Sequence, residues 1–265
     1  MEANPATGFR DFLGGEEAEA LKSVRVSVEE ERRAGRRFRD SFLANAKRRG
    51  YVVSNDERKL AYLRALVDRF ARHMRHRERY PRIDVTLIEA PIADGQACPG
   101  GTLIFTTALL ETADEATVAG VVAHELAHLD LGHIHEYVKR DKLAQTAFQG
   151  PASGDFSREF SRFAAAGSVM MAPFKPHHEL EADCQAVSWM HAEGYDPEAL
   201  AEFFEDLHER QRDQPDNPFF QMMRSHPYTL DRRDHVRGRL EQLEAWQPRD
   251  LGRFADNLRT LTPRP

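Results

Sequence analysis

The spacing of apolar and polar positions changes along the chain, and each change marks an element. In DERKLAYLRALVDRFARHM (56–74), apolar residues return every three or four places, at Leu60, Leu63, Leu66, Val67 and Phe70. That spacing predicts an amphipathic helix with one face on a core. In RIDVTLIEA (82–90) the period drops to two, with Ile83, Val85 and Leu87 alternating against polar neighbours, which predicts a strand. CPGGTLIFTTALLE (98–111) opens with a Pro-Gly-Gly turn and continues into a second short strand. TADE (112–115) has a Thr with a Glu three places on, the pattern of a capping box, and starts a helix expected over 113–138.

Further along, Glu179 to His191 reads as a helix closed by Gly194. DPEALAEFFEDLHERQ (196–211) starts another, with Pro197 at its first helical position. SHPYTLDRRDHVRGRLEQLEAW (225–246) reads as a turn and a final long helix. GPASGD and MAPFKP interrupt residues 140–176, with room for a short apolar helix between them. Residues 1–15 read as loose, and the charge-dense stretch 16–50, with EEERRAGRRFRD at its centre, as a solvated helical face. The fold class is therefore α+β, mostly helical, with a small β-sheet ahead of one central helix. The chain divides into a charged N-terminal extension (1–54), one main domain (55–246) and a C-terminal tail (247–265).

Composition narrows the function. A net charge of −6 and a pI near 6.1 argue against nucleic acid as the main partner. No apolar run approaches the ~18 residues of a membrane helix, and the N-terminus has no basic region followed by an apolar one. The expected location is the cytoplasm, or the periplasm if a leader is removed. Two cysteines, Cys98 and Cys184, are too few for a disulfide scaffold; they could pair with each other, but without a secretory signal free thiols are the expectation.

The chemistry lies in VVAHELAHLDLGH (121–133). His124 and His128 stand four apart, so a helix brings both imidazoles to one face, where they can bind one metal ion. Glu125 sits ~100° round the helix, able to reach a water on that ion without ligating it. The arrangement is that of metal-assisted peptide hydrolysis, with one Zn2+ as cofactor and an extended polypeptide as partner.

A catalytic zinc needs a third protein ligand. The pattern HExxHxxGxxH does not supply it, because Leu131 and Ile134 stand at its last two places and Gly132, His133 and His135 are each one step out of register. HHELEADCQA (177–186) offers Glu179, with Asp183 four residues on and so on the same helical face. Glu179 is the expected ligand and Asp183 the acceptor for the free N–H of a ligand histidine. Glu181 competes, but has no acid four residues on.

With these residues in place the chain resembles the HtpX-like and CAAX-prenyl-protease-like zinc peptidases of metallopeptidase family forty-eight, in their BepA- and LoiP-like branch. The resemblance rests on PGGTLIFTTALLE, VVAHELAHLDLGH, ELEADCQAVSWMHAEGYDP and SHPYTLDRR, in that order between Pro99 and Arg233. It implies a zincin fold, zinc ligands His124, His128 and Glu179, and Glu125 as base. It also implies roles for His226, as oxyanion stabiliser or as a cap on the metal, and for Arg232 beside the site. Leu103, Ile104 and Phe105 would be the sheet edge that pairs with substrate. Where relatives tend to read NAFALPGG, this chain has DGQACPGG, so their substrate preference does not transfer. The resemblance implies an endopeptidase acting on unfolded or misfolded proteins; the alternative is a latent or inactive zinc-binding chaperone or adaptor with the metal capped by His226.

Overall fold

The computed structural model describes residues 20–148, 174–213, 226 and 230–243. The readings made for 1–15, for most of 140–176 and for the tail 247–265 lie outside these residues. Helix α1 (Val28–Arg48) is followed by β1 (Val52–Val53), α2 (Glu57–Ala71), β2 (Asp84–Glu89), β3 (Gly95–Cys98) and β4 (Thr102–Thr106). Then come α3 (Thr107–Thr112), α4 (Glu115–Asp130), α5 (His133–Phe148), α6 (Pro176–Glu193), α7 (Glu198–Asp213) and α8 (Leu230–Leu240).

The four strands form one mixed sheet in the order β1-β2-β4-β3. β2 and β4 are parallel, with Val85 opposite Leu103 and Leu87 opposite Phe105, and β3 returns antiparallel on β4. This corrects the expected substrate edge. Leu103, Ile104 and Phe105 lie in β4, whose two sides are already paired to β2 and β3. Their ladder bonds are spent, so among the described residues the outer edge beside the motif helix is β3. β3 is short and carries no alternation of large apolar residues, so its sequence gave no strand signal.

Alternation along β4 splits the core in two. Leu103 and Phe105 face α2, α4, α6 and α7 in the main cluster. Ile104, with Ile88 and Cys98, faces the other way, onto Phe38, Phe42 and Ala46 of α1. The charged N-terminal stretch is thus solvated on one side only. Glu31, Ala34, Gly35, Phe38, Phe42 and Ala46 of α1 are buried. The contact is close because Gly35 has no side chain: a Cβ there would lie 1.9 Å from the carbonyl oxygen of Pro99, in the turn joining β3 to β4.

The motif helix is shorter than expected. Its N-cap is Asp114, which accepts from the Thr117 N–H at 2.7 Å, while the Thr112 hydroxyl donates back to Ala108 instead. It ends at Asp130, because Gly132 takes a left-handed turn at φ +80° and α5 begins at His133. All thirteen residues from Val118 to Asp130 are buried. A helix apolar all round belongs in a core, so the polar groups it carries need partners. No helix among the described residues is long and apolar enough to cross a membrane.

Candidate metal centre

α4 is packed between β3 on one side and α6 on the other. Asp130 at its C-terminus fixes that packing, accepting from the His76 N–H and from the Gln185 amide, each at 2.8 Å. α6 closes on Gly194 at φ +81°, as expected, but opens at Pro176, three residues before the expected start at Glu179. The pairing of α4 and α6 brings His124 and His128 opposite Glu179 and Asp183.

Nε2 of His124 and Nε2 of His128 are 3.0 Å apart, and each is 3.6 Å from one oxygen of Glu179. His226 completes the group, its Nδ1 3.4 Å from His124 Nε2 and 3.1 Å from Glu179 Oε1. These four donors all lie within 4.8 Å of one another, and all four residues are buried. A tetrahedral ion with bonds of 2.0–2.1 Å has ligand-to-ligand edges of about 3.3–3.4 Å, a value that the separations of 3.0–3.6 Å lie on either side of. Imidazole nitrogens with one carboxylate oxygen suit zinc and its transition-metal neighbours.

The charges fit a dication as well. Glu179 and Asp183 share one buried guanidinium, Arg232, and Glu125 is buried beside His226, so three carboxyl groups and one fixed cation meet in a desolvated cluster with acid in excess. The protein's own answer to that excess is visible in its histidines. Burial alone would lower the pKa of His124, but Asp183 outweighs it and holds the ring up at about 9. Burial opposes a proton on His226 too, yet Glu125 and Glu179 push its pKa up. Burial dominates at His128, whose pKa falls well below the usual range. Burial would raise the pKa of Glu179, but Arg232, His226 and His124 hold it well down.

Arg232 ties the two acids of α6 together. Its Nε and Nη2 donate to the two oxygens of Asp183 at 2.8 and 2.7 Å, and its Nη1 lies 2.7 Å from Glu179 Oε2. The guanidinium carbon stacks 3.9 Å over the Phe204 ring of α7. Asp183 Oδ1 also lies 2.8 Å from His124 Nδ1, the nitrogen turned away from the donor cluster. Glu125 stands apart from the four donors. Its Oε2 accepts from the Ala97 N–H of β3 at 2.6 Å, and its Oε1 is 3.5 Å from His226 Nε2. A narrow cleft runs from here past Asp94, Val121, Leu200 and Phe203.

The structure thus gathers Glu125, His226, His124, His128, Glu179, Asp183 and Arg232 in one place, and leaves Leu103, Ile104 and Phe105 in the sheet behind. Sequence reasoning missed three neighbours. Phe174 stacks on the His128 ring at 4.0 Å, His133 Nδ1 sits 3.0 Å from His128 Nδ1, and Ala97 donates to Glu125. Only His133 had a local signal: Gly132 as a helix stop puts the next residue back under the helix end. Glu181, the competing ligand, turns outward to His133 at 3.1 Å. Cys98 and Cys184 are free; Cys184 Sγ lies 3.1 Å from His235 Nε2.

Comparison with known proteins agrees with this geometry. The family described as Peptidase family M48 matches residues 57–240. The beta-barrel assembly-enhancing protease of Yersinia pestis is 24% identical over 188 residues, which cover 62% of this chain and 38% of that protein. The chain therefore matches less than half the length of that relative.

Proposed function

Because the chain belongs to peptidase family M48, whose members are metal-dependent peptidases, we propose that it is a zinc-dependent endopeptidase acting on extended segments of unfolded or misfolded proteins. One observation carries the reading: His124, His128 and Glu179 converge at tetrahedral spacing while Glu125, one residue along the same helix, is held outside the donor set. Bound zinc would supply the Lewis acidity that polarises a peptide carbonyl and makes water a nucleophile near neutral pH.

The chain's own residues do the rest. Glu125 takes the proton of the attacking water and hands it to the leaving amine. The Ala97 N–H orients that carboxylate from the β3 side. In an antiparallel pair, N–H and C=O groups turn alternately toward and away from the partner strand. Asp94 O accepts from Thr106 N, so Gly95 and Ala97 turn their backbone away from β4; Asp94 Oδ1 and Glu125 Oε2 take their N–H groups, and their carbonyls are the acceptors a substrate backbone would join. Arg232 and Asp183 keep Glu179 and His124 in position. An N–H of His226 would serve the developing oxyanion.

A second reading has its own observation. Nδ1 of His226 sits inside the donor cluster, at the fourth corner, rather than beside it. A chain resting in that state would bind zinc and stay latent, serving as a chaperone or adaptor until His226 withdraws.

The test is degradation of casein by wild type and by Glu125→Gln at equal zinc content. Cleavage by wild type, lowered about 10²- to 10⁴-fold in the variant, is the expected result. No cleavage by either protein at full zinc occupancy overturns the open-enzyme reading in favour of the capped one.

A further inference from the structure

Resting on the metal-site reading above, we propose that His133 is a positioning residue that fixes the tautomer of ligand His128, with Glu181 as the outer end of the chain His128–His133–Glu181. The argument is one of counting protons. His128 turns Nε2 toward His124 and Glu179, so that nitrogen must keep its lone pair free to bind a metal. Its single proton then sits on Nδ1. The atom facing that N–H, at 3.0 Å, is His133 Nδ1, which must accept. His133 therefore carries its own proton on Nε2, and that N–H points at Glu181 Oε2, 3.1 Å away. One proton pattern satisfies all three groups. With Nε2 of His128 kept for the metal, the other neutral tautomer of His133 would set two N–H groups facing each other between the two buried rings, an unmade hydrogen bond that is costly there.

The surroundings hold His133 to this job. Its ring is stacked on His178 at 4.2 Å with the planes 14° apart, so it cannot rotate freely. Its side chain is 4% exposed, while that of Glu181 is 58% exposed, so the inner contact is rigid and the outer one solvated. The left-handed turn at Gly132 is what returns the chain so that His133 lies against His128. The histidine one step out of register for a third ligand is thus in register for the second layer. It does for His128 what Asp183 does for His124.

The test compares wild type, His133→Ala and His133→Asn for zinc affinity by chelator competition, for kcat and KM on a casein peptide, and for the protonated nitrogen of His128 by 15N NMR. The Asn carboxamide oxygen occupies the place of Nδ1 and accepts as it does. His133→Ala should lose about 10- to 100-fold in zinc affinity, the usual effect of removing the partner of a ligand histidine. KM at saturating zinc should not change, and His133→Asn should stay near wild type. Wild-type His128 should carry its proton on Nδ1. Unchanged zinc affinity in His133→Ala, or an equal loss in His133→Asn, overturns the proposal, as does a proton on Nε2 of His128. If the variants fail to fold, the wild-type 15N spectrum of His133 decides: a neutral ring protonated on Nε2 is expected, and a proton on its Nδ1 overturns the proposal. If wild type binds zinc with this dependence but cuts no peptide, the endopeptidase reading fails and the positioning role stands.

Discussion

The backbone N–H of Ala97 donates to the carboxylate of Glu125 at 2.6 Å, so the outer strand of the sheet holds the group best placed to act as base. The contact joins β3 to α4 across the site and gives that strand two tasks, orienting Glu125 and offering an edge to substrate. Both use backbone groups that β4 leaves free.

Ala97→Pro separates these tasks from the stability of the sheet. Proline removes the outward N–H without removing a ladder bond to β4, and edge strands tolerate it there. A hydrogen bond to a charged group contributes about 1.5–3 kcal/mol, so kcat/KM should fall about 10- to 100-fold. Steady-state kinetics beside a thermal melt checks this; an intact fold with undiminished turnover would show that the contact does not orient the base.

Removing His226 asks what its Nδ1 is for. If it is a donor to the metal, His226→Ala should release zinc to a chelator at least about tenfold more readily, as seen when groups around a bound metal are removed. If it serves only the oxyanion, zinc release should be unchanged and kcat should drop by about 10²- to 10³-fold. The endopeptidase reading expects the lower kcat with zinc release unchanged; faster release would favour the capped, latent state, in which Nδ1 of His226 is the fourth donor.

Glu31 gives a pH signature far from the site. It is buried in α1. Desolvation alone would raise its pKa, but hydrogen bonds from His135, Tyr80 and Arg79 hold it at about 2. A carboxylate depressed in the folded state stabilises the fold above its unfolded pKa and loses that contribution as pH falls through the folded value. The window therefore runs from about 4.5 down to about 2. Glu31→Gln should cost on the order of 3 kcal/mol at pH 7, with the difference from wild type shrinking through that window. Urea unfolding at several pH values measures it; a difference independent of pH would place the cost in packing instead.

Gly35→Ala tests the docking of α1. The added Cβ meets backbone, not a flexible side chain, so α1 or the Pro99 turn must shift. Overpacking of this kind costs about 1–3 kcal/mol. Because the turn leads into β3, activity should fall with stability. A variant as stable as wild type would mean that α1 is not clamped there.

Arg232→Lys removes the two-pronged hold on Asp183 while keeping the charge. Zinc affinity should fall about 10- to 100-fold as His124 and Glu179 loosen. Chelator competition gives the answer, and an unchanged affinity would reduce Arg232 to charge balance alone.

Much of this was legible in the sequence, where local rules suffice. The period of three to four marked α2, the period of two marked β2, the Pro-Gly-Gly turn announced β4, and Gly194 marked the end of α6. The spacing of four in HELAH and in ELEAD set two ligands on one helix, and a carboxylate above a carboxylate on another, because helix geometry depends only on neighbours in the chain. What the sequence could not decide were pairings between distant segments. Strand order is one: β4 and β3 are neighbours in sequence, yet only the parallel partner β2, some twenty residues earlier, turns β4 into an interior strand and leaves β3 as the edge. The burial of α1 is another, since its charge pattern reads as solvated until Gly35 meets Pro99 and Glu31 meets Tyr80 and Arg79. The layer around the ligands is the third. Ala97 and Phe174 have no local signal, and the Gly132 stop before His133 does not name its partner, because a hydrogen bond or a stacked ring is made by position in space, and position was decided only when α4 packed against β3 and α6.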